Sequence, residues 1–160
     1  MKRRQKNILR DFVTVIVITA ILVGAMFVFK DYVNRSEAMR AMGLLRQVIK
    51  QYRDEHGSVP PKSWVDSWID KQREDQPGNI KLGNLQYRAR WITFESNPDE
   101  FLAYTEGNYN FPVGKGYIVL RLGAVRKDDG RPEWIEREEF KTLLAQQQSP
   151  EEIQMMQKQR

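Results

Sequence analysis

The single histidine, His56, is the one side chain of this sequence suited to proton transfer near neutral pH. Asp54, Glu55 and Ser58 lie beside it along the chain, a composition that would suit a hydrolytic site. However, residues one or two positions apart on a helix do not face each other. A histidine at the C-terminal end of a helix commonly interacts with the helix dipole instead. We therefore predict that the protein is not an enzyme, and the enzyme alternative rests on His56.

Adjacent acidic residues and a glycine–lysine motif are the other candidates for chemistry. The acidic pairs are Asp99–Glu100, Asp128–Asp129 and Glu138–Glu139. We expect solvated surface carboxylates at all three, although Asp128 and Asp129 fall in a turn-like segment and could offer oxygens to Ca²⁺. Because Ca²⁺ takes about six to eight oxygen ligands, these two residues alone make an incomplete site. Gly114-Lys115-Gly116 lacks the spacing and the Lys-Ser/Thr ending of a phosphate-binding loop, so we interpret it as the turn that enters a strand.

Composition excludes several classes of site. The chain has 160 residues, no cysteine and one histidine, which excludes disulfides, cysteine-based zinc sites, thiol nucleophiles and metal sites built from several histidines. The four tryptophans could form a ligand platform, but in a small domain they more commonly belong to the core. They are Trp64, Trp68, Trp91 and Trp134. No cofactor is predicted.

The basic charge is concentrated at the N-terminus. Residues 1–11 contain five Lys/Arg and one acid, whereas the whole chain carries a net charge of +5. The rest of the chain is therefore nearly neutral. Nucleic-acid binding would require a basic patch on the folded part, so no nucleic-acid partner is predicted.

An uncharged segment follows this basic flank. Residues 12–29 read FVTVIVITAILVGAMFVF, and as a helix these 18 residues would extend about 27 Å, close to the hydrocarbon thickness of a bilayer. A single helix is the one way for one span to satisfy its backbone groups in lipid. We predict a transmembrane helix over residues 12–29, called the apolar segment below. The small residues Ala20 and Gly24 could let two such helices approach closely, which favours self-association through this helix.

The charged flanks predict the orientation of the span. More Lys/Arg precede the apolar segment than directly follow it, which favours a cytoplasmic N-terminus at 1–11 and an exported C-terminal body. The alternative is a cleaved signal peptide with Val23 and Ala25 at its cleavage site. An apolar run of this length exceeds the about 7–15 residues of a signal-peptide core, so we favour a retained anchor.

The helical pattern continues beyond the apolar segment. Apolar residues recur every three or four positions up to His56, which predicts one rod from about Ile8 to His56 with an amphipathic second half. The members of this stripe are Ala38, Ala41, Met42, Leu45, Val48, Ile49 and Tyr52. Gly57 and Pro60-Pro61 then predict the end of the helix.

The remainder of the chain predicts short elements around a small antiparallel sheet. We expect a helix over 62–75, a turn at 76–79, and a strand at 85–94 with Leu85, Tyr87, Ala89 and Trp91 on one face. Further strands are expected at 101–104, 116–122 and 132–135, with Asp129-Gly130 forming a tight hairpin turn. The resulting class is α+β, with the amphipathic half of the long helix covering an antiparallel sheet.

The C-terminal residues predict two helices. Residues 136–148 form the first, with Phe140, Leu143 and Leu144 inward; Ser149-Pro150 then has the N-cap and first-position residues of a second. We expect this last helix to be frayed and on the surface. The predicted organisation is a cytoplasmic flank (1–11), the transmembrane helix (12–29), an exported α+β domain (30–145) and a polar C-terminal tail (146–160).

The order of these elements resembles that of type IV pilins and type II secretion pseudopilins. The stalk helix of many such proteins ends in Tyr, a few polar residues, Gly and then Pro, and Tyr52, Gly57 and Pro60 fit this pattern. The C-terminal stretch from Tyr117 to Leu144 is similar to the ending of prepilin-type proteins. Where those families have a Gly-Phe cleavage site, this chain has Leu9-Arg10-Asp11-Phe12, and its span contains no acid.

The resemblance implies a membrane-anchored structural or interaction protein. We expect a minor component of a type II secretion or pilus-like system in the bacterial inner membrane, with a periplasmic body, an uncleaved anchor and protein partners in the assembly. Some pseudopilins bind Ca²⁺ in a C-terminal loop, which would place it at Asp128 and Asp129 here. The alternative is a membrane-tethered binding domain for a small ligand or Ca²⁺.

Overall fold

One helix dominates the architecture. The computed structural model describes residues 2–75 and 82–158, and α1 runs without interruption over Lys2–His56. The predicted continuous rod is therefore confirmed. Gly57 ends it in the left-handed conformation (φ +70°), and its N–H donates to the Arg53 carbonyl at 2.7 Å. Glycine adopts this backbone conformation without steric cost.

A four-stranded antiparallel sheet packs against the second half of α1. The strands are β1 (Gln86–Tyr87), β2 (Phe101–Asn108), β3 (Lys115–Arg121) and β4 (Glu133–Glu136), in the order β1-β2-β3-β4. The other helices are α2 (Lys62–Asp75), α3 (Leu122–Arg126), α4 (Arg137–Gln147) and α5 (Pro150–Lys158). The predicted α+β class, with a long helix on a small antiparallel sheet and a C-terminal helix, is confirmed. We call the folded region formed by residues 31–75 and 82–158 the head.

The core of the head lies between α1 and one face of the sheet. Ala41, Met42, Leu45 and Ile49 are fully buried there, as the stripe predicts, while Val48 and Tyr52 are half-buried at its edge. Ile118 and Leu120 of β3 belong to the same cluster. A smaller cluster on the opposite face joins the sheet to α4. Its buried members are Phe101, Tyr104, Val119, Ile135 and Phe140, with Leu143 and Leu144 packed against them.

The predicted strand at 85–94 is wrong beyond its first residues. Regular pairing covers Gln86–Tyr87 opposite Tyr104 and Ala103, after which the Trp91 N–H donates to the Arg88 carbonyl in a turn. Arg88 is buried although alternation would place it outside. The apolar residues of positions 88–94 lie in turns or directly beside them, and residues in turns do not alternate between two faces as strand residues do.

The Asp129-Gly130 hairpin prediction is also wrong. Helix α3 begins directly after β3, so the connection to β4 contains a helix and a turn rather than a two-residue loop. A Cβ on Gly130 would overlap the backbone of Ala124, so close backbone contact explains the glycine there. The predicted turn at 76–79 lies outside the described residues.

Candidate functional site: the two halves of helix α1

The apolar segment of α1 exposes its side chains on all sides. Within the apolar segment nearly every side chain is exposed; large examples are Val15, Ile18, Leu22 and Phe27. Thr14 returns its hydroxyl to the Arg10 carbonyl at 2.9 Å, as expected for a polar group in an apolar helix. Among the described residues this is the one helix long and apolar enough to cross a membrane. The chain is therefore compatible with a single-pass membrane protein.

Polar contacts tie the helix to the head immediately after the apolar segment. Asp31 is buried, and its Oδ2 accepts hydrogen bonds from the backbone N–H and the side-chain Nδ2 of Asn110, at 2.9 and 2.8 Å. One turn later, the Arg35 guanidinium lies 4.6 Å from the centre of the Trp134 ring, a cation–π contact. The head therefore begins within a few residues of the end of the apolar segment.

Two glycines make space for the Trp134 ring that Arg35 contacts. Gly107 and Gly116 are cross-strand partners on β2 and β3. A Cβ on Gly107 would lie 2.7 Å from the Trp134 ring, and one on Gly116 would lie 2.6 Å from it. The ring is thus packed against the backbone of both strands, and a larger residue at either glycine position would overlap it. Tyr109 lies beside it, with ring centres 5.8 Å apart, and burial raises the pKa of the Tyr109 phenol.

The carboxylates around His56 do not converge on it. The His56 ring stacks on Tyr52 with centres 4.1 Å apart, and its Nδ1 lies 3.1 Å from the Tyr52 carbonyl oxygen. Glu55 accepts a hydrogen bond from Gln51, and Asp54 lies 4.0 Å from Arg53. His56 is exposed, and these contacts are those of a helix terminus.

The candidate metal ligands, Asp128 and Asp129, lie on the side of the head away from the apolar segment. Asp128 forms an ion pair with Lys50 of α1, and the hydrogen bond from Lys50 holds the pKa of the Asp128 carboxyl below its ordinary value. Asp128 and Asp129 are both exposed. Within residues 2–75 and 82–158 no cluster of three or more His, Asp or Glu side chains could hold a metal ion. Calcium binding at these two residues stays a prediction.

The other residues singled out in the sequence lie in surface ion pairs, in a strand, in the core or on the exposed helix. Glu138 pairs with Lys141 at 2.9 Å, which lowers the pKa of the Glu138 carboxyl. Lys115 opens β3, as expected for a strand-entry turn. All four tryptophans are partly buried and pack against the main core. Gly24 lies on the exposed face of α1, where an added Cβ would contact no atom.

A buried ion pair was missed by sequence reasoning. The side chains of Arg88 and Glu152 are 4% and 2% exposed. Arg88 Nε donates to Oε1 of Glu152 at 2.6 Å, and Nη2 donates to Oε2 at 2.8 Å. The Arg88 guanidinium also donates to the carbonyl of Phe101 and to Gln147. The only signal in the sequence was an arginine among the apolar residues of positions 85–94.

The final helix lies on the surface as expected, with Glu152 as its buried exception. Ser149 caps α5 as predicted, its hydroxyl accepting from the Glu152 N–H at 3.2 Å. The Glu152 carboxylate, however, extends to Arg88 rather than back to the cap. Helix α5 is therefore fixed to the head through its first turn.

Comparison with protein-family models, with curated proteins and with solved structures gives no match to this chain. The architecture itself is pilin-like: a long N-terminal helix, half of it outside the head, packed on a small antiparallel sheet. The functional argument therefore rests on the two halves of α1.

Proposed function

We propose that this chain is a non-enzymatic, membrane-anchored, pilin-like interaction protein. It serves as a minor component of a type II secretion or pilus-like assembly in the bacterial inner membrane. Its basic N-terminus lies in the cytoplasm, and its head lies on the periplasmic side. The observation that carries the proposal is the division of α1 into an exposed apolar half and a half that forms the core of the head.

The apolar half supplies the anchor and a surface for helix association. Exposed side chains such as Val17 and Ile21 would be costly in water, but they are compatible with lipid or with apolar helices of neighbouring subunits. The basic flank before the segment favours a cytoplasmic N-terminus.

The amphipathic half joins the anchor rigidly to the head. Leu45 and Ile49 are fully buried against the sheet, so a force on the head is transmitted to the anchor through continuous helix rather than through a linker. Such a connection suits a subunit whose position in an assembly is set by its membrane helix.

Photocrosslinking in the source cell tests this proposal. A photoreactive amino acid at Val17 should give adducts with other membrane helices, and co-purification should recover secretion or pilus assembly components. A second label at Phe12, the first residue of the apolar segment, tests the same helix where it enters the membrane. A chain that stays monodisperse and gives no protein adduct from either site would contradict the assembly role.

The alternative function is a tethered binding domain for a small ligand or Ca²⁺, with Ca²⁺ at Asp128, whose Oδ1 is paired with Lys50, and Asp129. An increase in melting temperature with Ca²⁺ that is lost in Asp128→Ala/Asp129→Ala would favour it. No shift in either protein would leave the interaction role as the better account.

A further inference from the structure

The turn between β2 and β3 lies where α1 leaves the apolar segment. This turn, residues 109–114, is called the hairpin tip below. Asp31, which holds Asn110 through two hydrogen bonds, is two residues beyond Phe29, the last residue of the apolar segment. Two residues correspond to about 3 Å along a helix axis. If the apolar segment crosses the bilayer, the hairpin tip lies at the height of the membrane surface.

The hairpin tip presents an aromatic side chain to the surroundings. Phe111 is 91% exposed, the highest value among the large apolar side chains that the structure describes. Pro112 beside it is also exposed. A single exposed apolar residue is ordinary on a protein surface. The position of Phe111 distinguishes it, because its neighbour Asn110 contacts Asp31 just past the apolar segment. Phe side chains of membrane-surface segments are buried at the boundary between headgroups and acyl chains.

The hairpin tip is closed and held, so the exposure of Phe111 does not come from a loose loop. The Tyr109 N–H donates to the Gly114 carbonyl at 3.2 Å, and the Gly114 N–H donates to the Asn110 carbonyl at 3.1 Å. Val113 is buried, and Gly114 has φ +80°, a conformation that suits glycine. The tip therefore presents Phe111 from a fixed frame.

Two lysines near the hairpin tip suit a lipid surface. Lys30 follows the apolar segment directly and Lys115 follows the hairpin tip, and both are exposed. Ammonium groups near a membrane surface are attracted to anionic headgroups, while an aromatic ring suits the boundary between headgroups and acyl chains.

We propose that the hairpin tip is a second membrane contact, in which Phe111 inserts into the surface of the bilayer that α1 crosses. With contacts at α1 and at Phe111, the head has a fixed orientation on the membrane instead of rotating about a single helix. This inference rests on the membrane anchoring in the proposed function.

Quenching by spin-labelled lipids tests the contact. Because the chain has no cysteine, Phe111→Cys gives one attachment site for an environment-sensitive nitrobenzoxadiazole fluorophore on the full chain. The chain is reconstituted at no more than one copy per vesicle in phosphatidylcholine and phosphatidylglycerol, which excludes contact with a second copy. Matched controls are Phe27→Cys inside the apolar segment and Ser58→Cys at the far end of the head.

The expected result is quenching at residues 27 and 111 and none at residue 58. The label at residue 111 should respond more strongly to a nitroxide at headgroup level, and the label at residue 27 to a nitroxide deep in the acyl chain. Quenching at residue 27 with residue 111 as unquenched as residue 58 would overturn the hairpin-tip contact alone. Absence of quenching at residue 27 would overturn the anchor and this inference together.

Discussion

Removing the charge of Glu152 should destabilise the head far more than a substitution on an exposed surface helix would, although the sequence predicts α5 to be such a helix. In Glu152→Gln, the Arg88 guanidinium stays buried with no carboxylate beside it. Its bonds to the Phe101 carbonyl and to Gln147 remain, but they do not neutralise its charge.

The magnitude follows from the burial of both partners. Loss of one member of a buried ion pair costs about 3–5 kcal/mol, a large fraction of the about 5–15 kcal/mol by which domains are stable. The pair itself need not be stabilising relative to apolar residues. The double variant Arg88→Met/Glu152→Leu should therefore recover most of the loss, because neither charge is then left buried.

Urea unfolding of the full chain in detergent micelles, followed by tryptophan fluorescence, measures this effect. The matched control is Glu151→Gln, the same substitution at the exposed neighbouring residue, with an expected change within about 0.5 kcal/mol. Equal unfolding free energies for Glu152→Gln and Glu151→Gln would refute the buried pair. A double variant as unstable as Glu152→Gln would show that the loss comes from packing rather than from the unpaired charge.

Three further predictions concern the core and two titratable groups. Leu45→Ala should lower the unfolding free energy by about 2–5 kcal/mol, whereas Leu44→Ala, at a position 37% exposed, should change it by about 0.5 kcal/mol; equal losses in urea unfolding would contradict the assigned helix face. Tyr87 is buried and donates to a backbone carbonyl at 3.0 Å, and burial raises the pKa of its phenol well above the ordinary 10.0. Its stabilising contribution is therefore complete below pH 10.0 and declines at higher pH. Tyr87→Phe should cost about 1 kcal/mol at neutral pH and flatten the alkaline fall in melting temperature; an unchanged alkaline profile would exclude this cause. Because Lys50 lowers the pKa of Asp128 below 3.8, that pair contributes above this pH and is lost as the pH falls. Lys50→Met should raise the NMR-measured pKa of the Asp128 carboxyl toward its ordinary value, with Arg46 still lowering it, and an unchanged pKa would contradict the pairing.

The long helix and the sheet could be predicted because their patterns are local. The apolar segment has the length of a bilayer span, and Ala41, Leu45 and Ile49 repeat with the helical period, so both halves of α1 are visible in the sequence. The strongest strand, β3, contains the run Tyr117-Ile118-Val119-Leu120 of apolar and β-branched residues. These features depend on neighbouring residues alone.

The elements missed by sequence reasoning depend on distant partners. Arg88 is buried against Glu152, which is 64 residues away in the chain, and no local pattern indicates such a pair. Gly130 resembles a hairpin glycine, but its role is to allow close contact with the backbone near Ala124. The hairpin tip at Asn110 lies near the end of the apolar segment because of its contact with Asp31, 79 residues away. Tertiary contacts of this kind cannot be predicted from the periodicity of apolar residues in the sequence.

The central claim is that one helix is a membrane span in its first half and the core of an exported head in its second half. A cysteine-accessibility scan of α1 with a membrane-impermeant maleimide, on intact cells, tests it most directly. Single cysteines at Val17, at Arg40 and at Ser58 probe the span, the exposed side of the second half and the far end of the head. The account predicts that residue 17 stays protected while residues 40 and 58 are labelled from outside. Labelling of residue 17, or protection of residues 40 and 58 until the cells are lysed, would contradict it.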